Sequence, residues 1–398
     1  MTHAIAHDPP ADRLEQIGLL ALFGVGAAVL FSIAIAQILL TVAIVCWVAL
    51  MVTRRERFDV PAFFWPLVAF GAWTLISAAF SPDPRASLVE CKQLVLLLLI
   101  PLVYRFVTGN RAVTMTTVIL SFAAVSAAFG IFQYAILHHD DLGQRAQGTL
   151  GHYMTYSGLL MLVLCSALAR VLFGKSDRIW AAAVMPALAV AIVVTFTRSA
   201  TVGACAAAAV LFSLKDFRLL AILPIVTALF FAVAPAKLNA RFQSTFDLKN
   251  PTNRDRLAML REGEHMVRDH PLVGVGPNMV LRRYAEYRDP EAVEKVNPHL
   301  HNVPMQIAAE RGLPALGLWL WFIVALIVAL AHRVRRDGDQ RFLAASALAV
   351  VTAMLAAGMF EHNFGDSEFL MMFLILITLP FAADRISRSA VISQPGPA

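Results

Sequence analysis

The chain has 398 residues, 59% of them hydrophobic and only 15% charged, with a mean hydropathy of +0.68. A soluble domain is nearer half apolar and a quarter charged, so a soluble enzyme and a soluble protein with a single anchor are both excluded. The net charge of +6 reads as basic residues facing the cytoplasm and anionic lipid, not nucleic acid. The first sixteen residues hold Asp8, Asp12 and Glu15 and lack both a basic n-region and a small-residue cleavage site. No cleaved signal peptide is therefore expected. About twelve membrane spans follow, at roughly 17–33, 35–52, 60–80, 88–106, 112–137, 150–173, 178–197, 199–214, 217–235, 313–332, 341–360 and 367–384. The predicted fold is all-α, a polytopic helical membrane protein.

The connections alternate in charge. Arg13, then Arg54, Arg55 and Arg57, then Arg105 and Arg111, lie on one side. Arg170, Lys175, Arg178, Lys215, Arg218, Arg333, Arg335, Arg336, Arg341, Arg385 and Arg388 join them, giving 17 basic residues. The short loops opposite hold only Arg85, Lys92, Arg145 and Arg198. Positive charge marks the cytoplasmic side, so both termini are expected there. Four organisational units result: spans one to nine over 1–235, an outward-facing loop over 236–312, spans ten to twelve over 313–388, and a flexible cytoplasmic tail over 389–398. The cysteines Cys46, Cys91, Cys165 and Cys205 lie in or beside apolar segments, which gives no disulfide framework and no thiolate metal site.

The long loop is the exception to the apolar pattern. Its stretch 237–298 carries 11 basic and 9 acidic residues. Loops of this length inside a compact protein are functional or disordered. This one carries helix signals. Thr252-Asn253-Arg254-Asp255 predicts a capping box opening a helix that Pro271 ends. Gly274-Val275-Gly276-Pro277 predicts a turn. Asn278 predicts a second cap, for a helix to about Arg288. His301 or Asn302 predicts a third, with Pro304 in its first turn and Gly312 just past its end.

The tract Asn297-Pro298-His299-Leu300-His301-Asn302 is where chemistry is expected. His301 at a helix start feels the positive end of the helix dipole, which favours neutral imidazole and suits a general base. Asn302, Gln306 or a loop carbonyl is the expected tautomer partner. The bland reading is a helix cap or a headgroup contact. In extended backbone His299 shares a face with His301, and a supporting role is expected for it. A His-x-His pair also suits metal, with Glu361, His362 or Asp366 as further ligands. However, no carboxylate sits at ligand spacing from the pair, and the set reads as incomplete.

Arginines on the same side form the second group. Arg198 stands at the junction of two apolar spans. Arg256 opens the loop helix, with Arg254 and Arg261 nearby. Arg145 precedes span six, with Tyr153 close by. Arginine forks match phosphate oxygens. For any one of them, a salt bridge with a loop acid is the simpler reading. Together with a histidine they suit an anionic, lipid-linked substrate.

These motifs resemble the bacterial O-antigen ligase family, within the O-antigen ligase/polymerase superfamily. That family carries His, then Asn, Ser or Gln, nine residues, Gly, two residues, then Gly, Thr or Tyr. Here His301-Asn302 is followed by nine residues and Gly312, while Ala315 departs at the last position. Arg256-Leu257-Ala258-Met259 and His270 to Pro277 look like the family's loop signature. Thr195 to Ser199 and Gly148 to His152 look like its two shorter segments. The resemblance implies transfer of O-antigen from undecaprenyl pyrophosphate to a sugar hydroxyl of lipid A–core at the periplasmic face of the inner membrane. It implies His301 as base; Arg198, Arg256 and Arg145 on the pyrophosphate; and His299, Asn302, Gln306, Tyr153 and Arg254 in support. No metal, cofactor or nucleic acid is implied. Alternatives of the same superfamily are an O-antigen polymerase and a protein O-oligosaccharyltransferase. A twelve-span transporter is the alternative of another class, and it would show two similar halves, which are not visible here.

Overall fold

A computed structural model describes residues 10–247, 249–335, 338 and 340–385. The expected tail at 389–398, together with Asp8, Arg336 and Arg388, lies outside the described residues. The described residues are predominantly helical, and among them there is no strand, only one isolated bridge between Asp140 and Arg145. The helices are α1 Pro10–Ala28, α2 Ile33–Arg54, α3 Phe64–Ala79, α4 Pro84–Phe106, α5 Asn110–Ala135, α6 Tyr153–Phe173, α7 Arg178–Val194, α8 Arg198–Lys215 and α9 Phe217–Val233. Three helices then occupy the charged stretch: α10 Ala236–Gln243, α11 Pro251–Asp269 and α12 Val280–Tyr287. The last are α13 Val303–Val334, α14 Arg341–Gly358 and α15 Ser367–Ala383. Six of these, α2, α4, α5, α6, α13 and α14, are long and apolar enough to cross a membrane; α3, α7, α9 and α15 are apolar but shorter. The protein is a helical membrane protein.

The ends of the elements follow from local chemistry. Ser32 caps α2 by accepting from the Ile35 amide, which sets the break between the first two apolar helices at 29–32 rather than further along. Asp83 caps α4, with Pro84 in its first turn. The capping box expected at Thr252 is corrected. Asn250 is the cap of α11, Pro251 opens the helix, and Asn253 is freed for another use. Asn278 does not cap α12; it sits at φ 59° and its amide donates to Glu310.

The middle of the bundle is made by α6, α14 and α15, which are buried along most of their length. Ser166 and Ser346 hydroxyls meet at 2.8 Å between α6 and α14, a polar tie of the kind that helix pairs in lipid use. At one end Arg54, Arg105 and Arg111 converge on Glu15, at 2.9, 3.5 and 3.8 Å. Helix α4 carries Arg105 to that end and Ser87 to the other, where the Ser87 hydroxyl donates to the Pro277 carbonyl.

At this second end a break in α13 organises the charged stretch. Gly312 (φ 80°, ψ 170°) leaves the helix, and Pro314 behind it has no amide to donate. The carbonyls of Ala309 and Glu310 instead accept from the amides of Val275 and Gly276, both at 2.8 Å. Leu313 returns an amide to the Pro271 carbonyl at 2.8 Å. The Ser77 hydroxyl donates to both Val273 and Glu310 carbonyls, and the Trp73 indole to Arg311. The strap 271–277 thus satisfies backbone groups that the kink exposes. It is this docking that requires glycine at 312. A Cβ there would lie 2.9 Å from the Val273 amide nitrogen on backbone of positive φ.

Candidate active site

The tract before α13 is pinned on both sides of His301. Asn297 donates to Asp255 and to the Tyr284 hydroxyl, and Asp255 also accepts the Val293 and Glu294 amides. The Leu300 amide donates to Gln306 Oε1 at 2.7 Å. Asn302, not His301, is the helix cap: its Oδ1 accepts from the Met305 amide and its Nδ2 donates to the Met359 carbonyl. Held this way, His301 sits at φ 47°, an uncommon conformation for a residue with a Cβ.

His301 Nδ1 lies 2.9 Å from Glu361 Oε1. Both side chains are largely enclosed, 16% and 13% exposed. With the Nδ1 proton donated to the carboxylate, Nε2 carries a lone pair and can take a proton. The expected partners, Asn302, Gln306 or a loop carbonyl, are corrected to Glu361, which reaches in from the turn between α14 and α15. Burial raises the Glu361 pKa. The hydrogen bond and charge of His301, the His362 amide and the charge of Arg256 outweigh it and hold the carboxyl at about 2. His299 packs its ring 5.0 Å from that of His301 and 5.4 Å from that of His362. Burial, with neighbouring His301, pushes His299 down to about 4; burial, with His299 and Arg311, pushes His362 down to about 3.

Arg198 opens α8 after a break at Phe196 (φ 57°). It is 6% exposed, donates from Nη2 to Asn253 Oδ1 at 3.0 Å, and leaves Nη1 without a partner among the described residues. Asn253 is itself fixed, donating Nδ2 to the carbonyls of Ser244, Thr245 and Asp247. Burial lowers the Arg198 pKa to about 10, helped by the charges of Arg241, Arg256 and Arg145. Burial lowers Arg256 as well, with Glu361 and Tyr153 opposing. Among the described residues no carboxylate pairs with Arg198, Arg241 or Arg256. Three other loop arginines behave differently: Arg261 pairs with Asp289 and Glu291, Arg268 with Glu264, and Arg283 with Glu286. The simple salt-bridge reading therefore holds for those three and fails for the cluster.

Arg198, Asn253, Arg256, His301 and Asn302 line one cavity of about 220 Å³, closed on its other walls by Val202, Leu257, Leu260 and Phe360. A second, more polar cavity of about 240 Å³ is lined by His299, Glu361, His362, Gln93, Glu310 and Asp366, among others. The His301–Glu361 pair stands where the two meet. Positive charge with empty donors, beside a base whose tautomer is set, is what displacement of an anionic leaving group by a hydroxyl needs.

Of the residues singled out in the sequence, His301, Arg198 and Arg256 are brought to one cavity. Arg145 is close enough to Arg198 and Arg241 to affect their charge, but it does not line that cavity; it stacks 4.1 Å over the Tyr153 ring and donates to the Leu142 carbonyl. Arg254 is exposed and outside. Gln306 and Asn302 hold backbone. Sequence reasoning missed Glu361 as the partner of His301, and missed Arg241 and Asn253 altogether. Only Glu361 carried a signal, an acid in a short polar turn between apolar segments. The incomplete ligand set is also corrected: donor atoms of His299, His301 and Glu361 lie within 4.8 Å of one another.

Residues 181–320 match a family model described as O-antigen ligase. The match supports membership of the O-antigen ligase/polymerase superfamily. The matched stretch holds Arg198, Arg241, Arg256, His299, His301 and the Gly312 break, and it ends before Glu361. No curated protein matches the chain. A superfamily member of this kind is a glycosyltransferase-like enzyme acting in O-antigen ligation or polymerisation.

Proposed function

We propose that the protein is the ligase: it moves O-antigen from undecaprenyl pyrophosphate to a sugar hydroxyl of lipid A–core. The observation that carries this is the shared cavity, in which unpaired Arg198 and Arg256 face a His301 held by Glu361. In this reading the arginines grip the pyrophosphate in bidentate fashion and stabilise the charge that grows on it. The acceptor oxygen attacks the anomeric carbon as the bond from that carbon to the pyrophosphate oxygen breaks. His301 Nε2 takes the hydroxyl proton, and the Glu361 carboxylate stabilises the resulting imidazolium. One displacement inverts the anomeric centre. Arg241 adds positive charge at the donor end; Arg145 and Tyr153 act beside it, and His299 supports the pair. Neither nucleotide nor metal is part of the chemistry. The topology belonging to this reading has twelve spans in the inner membrane, both termini in the cytoplasm and the 236–312 loop in the periplasm.

Purified protein given the lipid-linked donor and, separately, lipid A–core, a second lipid-linked glycan and a serine peptide tests the assignment. Glycan on lipid A–core alone is expected. Product only on the second glycan makes it a polymerase, and product only on the peptide makes it a protein glycosyltransferase.

A further inference from the structure

We propose that His299, His301 and Glu361 form a binding site for a divalent transition-metal ion of the zinc type, and that filling it switches transfer off. Binding stands on its own geometry; the switching rests on the proposed role of His301.

Two imidazoles and one carboxylate converge, with donor atoms within 4.8 Å of one another. Around tetrahedral zinc, ligand atoms at ~2.0–2.1 Å from the ion stand about 3.3 Å apart, so the set needs to contract by at most about 1.5 Å. The second, independent observation is an orphan: Glu361 Oε2 is buried and has no hydrogen-bond partner among the described residues. The neighbouring His362 Nδ1 is in the same state. Buried polar atoms left without partners ask for an occupant. The second cavity adjoins His299 and Glu361 and provides an entry path and room for water in a fourth position.

Nitrogen-rich donors select zinc, copper or nickel over magnesium and calcium, which prefer oxygen. The arginine cavity on the far side of the pair disfavours any cation, so the ion is exchangeable rather than a permanent part of the fold. Either nitrogen of His301 gives the same consequence. Metal on Nε2 occupies the lone pair directly. Metal on Nδ1 takes the lone pair on that nitrogen, so the ring's single proton moves from Nδ1 to Nε2, where the base needs its lone pair. Both routes remove the base.

The test uses full-length protein without a polyhistidine tag, stripped with a chelator and titrated with zinc. Bound metal is measured by equilibrium dialysis, and glycan transfer is measured in the same samples. One zinc per chain is expected, with transfer falling at least about tenfold and returning when chelator is added. His299→Ala and Glu361→Gln should each weaken binding at least about tenfold, and the transfer left in His299→Ala should resist zinc to the same degree. Cobalt absorption of the tetrahedral type, lost in both variants, gives a readout that does not depend on activity. Melting temperatures near wild type show that the variants are folded. No binding, or binding that survives both substitutions, overturns the site. Binding at one zinc per chain with undiminished transfer overturns the switch and the base role of His301 together, while leaving the metal site in place.

Discussion

His301 Nδ1 and Glu361 Oε1 stand 2.9 Å apart across 60 positions of sequence. That one contact joins the tract before α13 to the turn between α14 and α15. It decides which imidazole nitrogen carries the proton. Glu361→Gln keeps the shape but can present an amide N–H to Nδ1 and favour the wrong tautomer. Its kcat should fall by ~10²-fold or more with little change in KM for the donor. Steady-state kinetics over a range of donor concentration checks this; a wild-type kcat in Glu361→Gln would remove the pair from the mechanism.

The arginines should divide by burial and pairing. Arg198→Ala and Arg256→Ala each remove a charge-assisted contact to phosphate worth about 1.5–3 kcal/mol, or roughly 10–150-fold in kcat/KM. Lysine at either position should rescue poorly, because it lacks the fork. Arg254→Ala, at an exposed position outside the cavity, should stay within about twofold of wild type. Equal losses at all three would mean that net charge, not geometry, recruits the donor.

Acid should loosen the site before it unfolds the bundle. His299 and His362 have folded pKa values of about 4 and about 3, below the ordinary 6.5, and Glu361 about 2, below the ordinary 4.5. In each case the folded protein prefers the deprotonated form, so the stabilisation is complete above the ordinary value and is lost as pH falls toward the folded one. Melting temperature should be flat above pH 6.5 with respect to these histidines and should decline from there through about 3, with Glu361 adding its loss between 4.5 and about 2. His299→Gln and His362→Gln should flatten the upper part of that decline. An unchanged profile in the double variant would place the acid sensitivity elsewhere.

Much of this arrangement was legible from residue types and spacing. Apolar runs announce the helices because lipid demands them. The motif from His301 to Gly312 is visible because the cap and the break are local events, written in adjacent residues. Gly274 and Gly276 read only as a turn, and their partner, the opened end of α13, could not be seen from the tract itself. Glu361 escaped for the same reason: a carboxylate is assigned to a base by distance in space, and nothing within a few residues of either group records that distance. Asn253 looked like part of a capping box because its neighbours fit one. Asn250 and Pro251 fit better, and Asn253 then holds Arg198.

The strap should be intolerant of a single methyl group. At Gly276 (φ 104°) a Cβ would stand 2.5 Å from Ser81 Cβ and 3.0 Å from Ser87 Oγ; the Ser87 hydroxyl is held by its bond to the Pro277 carbonyl and Gly276 by its amide bond to Glu310. Gly276→Ala and Gly312→Ala should each destabilise by about 1–3 kcal/mol, whereas Gly317→Ala, where nothing lies within 4 Å of the new atom, should be neutral. Melting of the purified variants in detergent separates the three. Equal stability in all of them would show that the strap is not docked on the kink.

The most direct test compares glycan transfer to lipid A–core by purified wild type and His301→Ala, matched for melting temperature and supplied with the same undecaprenyl pyrophosphate donor. The base role predicts a fall of ~10²–10⁴-fold in the transfer rate, with donor binding retained by the arginines. Transfer by His301→Ala within a few-fold of wild type would contradict it.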